Sequence, residues 1–216
     1  MAIKTNRTVQ FGSLIRSYAG LLAETLDAVD SNDYDFSSVG YFDGREPSSR
    51  KWLVSTYEWL TVCVTYWEKN EIRCVLSREG NVNLYGPGGS PDRTYQIPDA
   101  GVMREGAADY GYVNRIRAIG DGLYVCGQSR QVYRFAPGKP HVLDGHWVDF
   151  AGPMRQPPMS EPPDDNGGEA FDRWLDENDA IDLVDIAGSS ESDIYTAGDE
   201  CWHYNGRQWK QLQLPT

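Results

Sequence analysis

The spacing of apolar residues changes character near residue 50. Between Gly12 and Val29 the apolar positions Leu14, Ile15, Tyr18, Leu21, Leu22, Leu26 and Val29 recur at steps of three and four, as on one face of an α-helix. This spacing predicts an amphipathic helix over 13–29, with Ser13 as its N-cap and the polar run 30–33 as its stop. Gly20 inside it costs roughly 1 kcal/mol relative to Ala. Such a helix packs on its own domain or meets a partner, and the first is the simpler reading.

From Lys51 onward the period falls to two. Residues 59–65, 72–76, 81–85 and 93–97 are short runs rich in β-branched and aromatic side chains, parted by turns around Gly80 and Gly88. The order returns over 115–120, 123–127, 131–135 and 141–143, and again over 183–188, 193–198, 202–204 and 209–212. The second strands align at Ser77, Gly127 and Gly198. An aromatic ends the third strand eight residues later at Tyr85 and Phe135, but six later at Tyr204, so the last hairpin has a shorter tip. Four short strands per unit form a sheet that buries its faces only against neighbouring copies. The expected fold is mainly β, with units at about 51–101, 112–150 and 181–216 after an N-terminal segment, 1–50.

The clearest copy runs from Asp185 to Trp209, with Asp193, Ile194 and Tyr195 in its second strand and His203, Tyr204, Asn205, Gly206 and Trp209 in its closing hairpin. It resembles the repeats of bacterial β-propellers of the WD40, YVTN and kelch-like kind. The likeness is good over about thirty residues, weaker over 115–143, a pattern only over 59–97, and missing from 1–50. It implies a partial or atypical β-propeller of about three four-stranded blades plus the N-terminal helix. Closed propellers need at least about four blades, so uncovered sheet edges invite self-association or a partner that supplies the rest.

The period is interrupted between the second and third units. Residues 153–168 are rich in Pro, Asp and Gly, and a short helical piece over 170–175 follows. Within the insertion 153–179 stand eight carboxylates against Arg155 and Arg173, which is half of the chain's net charge of −12. A loop this long inside compact repeats is functional or disordered.

Charge narrows the partners. A strongly acidic surface repels phosphate backbones and anionic membranes and attracts basic proteins. Direct nucleic-acid or membrane binding is therefore not expected. Residues 1–16 have no secretory pattern and no apolar run approaches the ~20 residues of a membrane span, which predicts a cytoplasmic protein with reduced cysteines. A bridge between Cys63 and Cys74 across a hairpin is the minor alternative to reduced thiols.

Catalytic chemistry finds little support. His141, His146 and His203 are scattered, no cysteine pair has zinc spacing, and Gly86-Pro87-Gly88-Gly89 lacks the Lys of a phosphate loop. The run 30–35 fails as a calcium loop, with Tyr34 at a ligand position and Asp35 where Gly is required. No enzyme, cofactor or metal is expected.

The leading expectation is a non-catalytic module that binds a basic protein. Small acidic cytosolic propeller-like proteins resemble the immunity proteins of polymorphic toxins, which implies a toxin domain as partner and occlusion as mechanism. The contact residues expected are Asp164, Asp165, Glu169, Asp172, Asp176 and Glu177 for steering, with Trp174 and Trp202 as anchors. A segment of a larger propeller or multi-subunit assembly is the alternative, and a carbohydrate-binding propeller, suggested by the many aromatics, is the second.

Overall fold

The computed structural model describes residues 7–16, 19–26, 37–86, 92–163 and 168–213. The described residues form four four-stranded sheets, each an antiparallel meander in which every strand pairs with the next. The first holds β1 (Arg7–Arg16), β2 (Ala19–Leu26), β3 (Ser37–Asp43) and β4 (Trp52–Tyr57). The second holds β5 (Thr61–Trp67), β6 (Ile72–Ser77), β7 (Asn81–Tyr85) and β8 (Arg93–Gln96). The third holds β9 (Val113–Ile119), β10 (Gly122–Gly127), β11 (Val132–Ala136) and β12 (His146–Asp149). The fourth holds β13 (Leu183–Ser190), β14 (Asp193–Gly198), β15 (Cys201–Tyr204) and β16 (Trp209–Leu212). Among the described residues one α-helix, α1 (Glu169–Glu177), lies between β12 and β13.

The sheets stack in chain order. Their first strands lie side by side, β1 on β5, β5 on β9 and β9 on β13, which is a propeller-like arrangement. Among the described residues no strand of the first sheet packs on the fourth in this way. Period-two alternation sends successive side chains to opposite neighbours. Thus Cys74 and Leu76 of β6 join the layer shared with the third sheet, while Val75 joins the layer shared with the first. In β10, Leu123 and Val125 face back to the second sheet, and Tyr124 and Cys126 face forward to the fourth. Both neighbours of the two middle sheets are present, so β6 and β10 are buried almost throughout.

The aromatics that close the third strands have equivalent places. Tyr85 packs toward the first sheet, Phe135 toward the second and Tyr204 toward the third. The last hairpin turns on Asn205, whose carboxamide oxygen accepts from the amides of Arg207 and Gln208, both at 3.1 Å.

Two expectations are corrected. The helix over 13–29 is a hairpin where it is described: β1 and β2 pair from Arg7–Leu26 to Arg16–Ala19, while Tyr18 and Val29 lie outside the described residues. Both faces of this hairpin carry apolar side chains, so the alternating patterns of its two strands together imitate steps of three and four. The N-terminal segment is therefore a fourth sheet, and the described residues hold four such sheets where three were expected.

All four cysteines are free, so Cys63 and Cys74 are not bridged. Burial pushes the thiols of Cys74 and Cys126 well above their ordinary range.

Candidate partner-binding surface

The insertion before the fourth sheet begins with two inward anchors. Met154 is buried against the layer between the third and fourth sheets. Arg155, its side chain only 9% exposed, pairs with Asp149 at 3.1 Å and Asp99 at 3.7 Å. Its guanidinium also lies over the rings of Tyr110 and Tyr133, at 4.7 and 4.8 Å.

Backbone and amide bonds then tie the two arms of the insertion together. The amide of Gln156 donates to the Ser129 carbonyl at 3.0 Å and that of Met159 to the Asp109 carbonyl at 3.0 Å. The Gln156 side chain donates to the Asp179 carbonyl at 3.3 Å and accepts from the Ile181 amide at 2.8 Å. The described part of the insertion is thus an arch pinned at its base.

The helix α1 sits on this arch. Phe171, Trp174 and Leu175 recur at the three- and four-residue steps that share a helix face, and Glu169, Asp172 and Asp176 occupy the opposite side. Glu169 and Asp172 stand in the first turn, where the helix dipole favours carboxylates. The apolar side is held by the indole of Trp174, which donates to the Ser160 carbonyl at 3.0 Å, and by Asn178, which accepts from the Ser160 amide at 2.7 Å. The rings of Phe171 and Trp174 stack at 5.6 Å. No residue of α1 is buried, and Leu175 is 48% exposed.

Of the expected contact residues, the structure brings Glu169, Asp172, Asp176, Glu177 and the half-buried Trp174 together on α1. Asp164 and Asp165 lie outside the described residues. Trp202 lies instead in the layer between the third and fourth sheets. Its indole donates to Glu200 at 2.8 Å, and Arg130, 5.6 Å from its ring centroid, holds the Glu200 carboxylate through bonds of 2.7 and 2.8 Å. Arg130 keeps the Glu200 carboxyl below its ordinary range, against the opposing effect of burial.

The comparisons with known proteins add little to this geometry. Sequence comparison finds no matching protein family and no matching curated protein. The chain is similar in structure to the β-propeller domain of Cps50 (Swd1) from Myceliophteria thermophila, with a TM-score of 0.45 and 13% identity. That likeness covers 89% of this chain and 54% of the other, so the chain spans about half the length of that structure.

Other candidate chemistry is tied up in the fold. The imidazole of His203 bonds Asp193 at 2.9 Å and stacks on Tyr195 at 4.3 Å. Ser189 and His203 together hold the Asp193 carboxyl below its ordinary range. Trp67, Tyr124, Tyr133, Phe135 and Trp147 are buried between sheets, where they offer no platform to a sugar. Among the described residues no three His, Cys, Asp or Glu side chains gather as metal ligands would.

Sequence reasoning missed one recurring feature. In three sheets an aromatic on the third strand stands opposite a Trp on the fourth: Phe42 and Trp52, Phe135 and Trp147, Tyr204 and Trp209. The intervals along the chain differ, so no fixed spacing announces them.

Proposed function

We propose that the chain is a non-catalytic protein-binding module that docks a basic partner on α1 and the arch beneath it. The observation that carries this reading is a helix that buries none of its own residues and is nevertheless tied in place. A solvated excursion has no need of Arg155 buried at its base or of a Trp174 indole held by Ser160. Docking has use for both, because contacts held before encounter lose less entropy on binding. The outward side of α1 presents four exposed carboxylates, Glu169, Asp172, Asp176 and Glu177, while Trp174 on the opposite side fixes the helix to the arch.

The chain's net charge of −12 steers a basic partner toward such a surface. In its finer form the reading is that of an immunity protein: α1 covers the working face of a basic toxin domain and blocks it by occlusion.

The test is affinity capture from the native host extract at low salt, with the wild-type chain beside an Asp172→Asn, Asp176→Asn variant. A basic protein recovered at equal stoichiometry by the wild type, and depleted by the variant, is the expected outcome. Recovery that ignores the two substitutions contradicts the assignment to α1.

A further inference from the structure

The end faces of the stack point to a second copy of the chain, independently of the basic partner. Within the chain one contact recurs at two junctions, second sheet on third and third on fourth. The Phe135 and Trp147 rings, 5.4 Å apart, face the second sheet, which sets Tyr95 5.2 Å from Phe135. The Tyr204 and Trp209 rings, also 5.4 Å apart, face the third sheet. There Phe150 lies 4.8 and 5.9 Å from them and accepts the Trp209 indole N–H on its carbonyl at 2.9 Å.

The covering residues are equivalent by register. Tyr95 stands opposite Val82, and the Phe150 amide bonds Val132. Val82 and Val132 in turn pair with Leu76 and Cys126 of the second strands.

Both halves of this contact recur, uncovered, at the two ends of the stack. On the first sheet Phe42 and Trp52 form the same pair at 5.0 Å, and among the described residues no sheet covers them. Trp52 is 49% exposed, Val54 57% and Leu14 81%. On the fourth sheet Leu212, opposite Cys201, holds the place of Tyr95 and Phe150. Leu212 is partly exposed, and Val184 and Tyr195 face solvent beside it. An exposed apolar face of this kind marks an interface. What fits it is the forward face of a four-stranded sheet, and among the described residues the fourth sheet carries such a face uncovered.

We propose that the fourth sheet of one copy covers the first sheet of another, head to tail, and that two such contacts close a ring of eight sheets. A pair related by a two-fold axis leaves neither end uncovered, whereas the same contact without closure grows into a filament. Both copies are acidic, so salt strengthens this association while it weakens docking of a basic partner. The two kinds of binding are therefore separable.

Sedimentation equilibrium of the purified chain should give twice its 24.3 kDa, more completely at high salt. In a Cys201→Ser background, Trp52→Cys and Leu212→Cys variants should form a disulfide when mixed and none when oxidised separately. Val54→Glu, at an exposed position, should return the chain to a monomer that melts as the diluted, monomeric wild type does. A monomer with no mixed disulfide overturns the proposal. So does a Trp52→Cys chain that bridges to itself, which means head-to-head contact, or a mass that climbs without limit.

Discussion

Tyr124 and Tyr195 occupy equivalent places on the second strands of the third and fourth sheets, and stacking makes them unequal. Tyr124 is fully buried beneath the fourth sheet, with Phe150 at 5.5 Å and its hydroxyl donating to Glu191 at 3.4 Å. Burial pushes its phenol up to about 12. Tyr195 points the same way from a sheet that no described sheet covers on that side, and is 43% exposed. Truncating a buried aromatic costs about 3–5 kcal/mol through lost transfer energy and the cavity left behind. Truncating an exposed one costs no more than about 1 kcal/mol. With a urea dependence of about 2 kcal/mol per molar, Tyr124→Ala should lower the unfolding midpoint by about 2 M and Tyr195→Ala by less than about 0.5 M. The measurement is urea denaturation at protein concentrations low enough to hold the chain monomeric. A gentler pair gives the same contrast: Cys126→Ser buries a hydroxyl at a cost of about 1–3 kcal/mol, while Ala197→Ser on the open face is silent. Equal losses at the two tyrosines would refute the stacking order.

Further outcomes follow from individual contacts. Arg155→Met removes the ion pairs with Asp99 and Asp149. Local opening of the arch made easier by roughly 1.4 kcal/mol raises trypsin cleavage at Arg173 about tenfold, while the global urea midpoint moves little. Acid should weaken the junction of the third and fourth sheets. Arg130 holds the Glu200 carboxyl below its ordinary 4.5, so the unfolded chain takes up that proton more readily than the folded one. The stability this contributes is complete above the ordinary value and is lost as pH falls through the lowered one. Urea midpoints between pH 6 and pH 3 should therefore decline less steeply in Glu200→Gln than in the wild type.

The parts legible from sequence are those in which local pattern and global packing agree. The strands of the last three sheets were readable because alternation of apolar residues persists over several residues between Gly-rich turns. The helix α1 was readable over 170–175 because its pattern is local and the prolines before it exclude anything longer. The first sheet was misread because its open face is apolar: Leu14 and Leu22 join Ile15 and Leu21, and the alternation that separates strand from helix is lost. The pinning of the arch was illegible for another reason. Arg155 meets Asp99, Tyr110 and Tyr133, which come from two other stretches of chain, and nothing in their spacing marks them as neighbours. Trp202 was expected to anchor a partner, but its register on β15 sends it inward, onto Glu200 and Arg130.

The claim that most of the account rests on is that acidic α1 docks a basic protein. Calorimetric titration of the captured partner into the chain, at low and at high salt, tests it directly. The account predicts binding that weakens about tenfold or more as salt screens the surface charges, and that weakens again when Asp172, Asp176 and Glu177 are neutralised. Affinity indifferent both to salt and to those three carboxylates contradicts it.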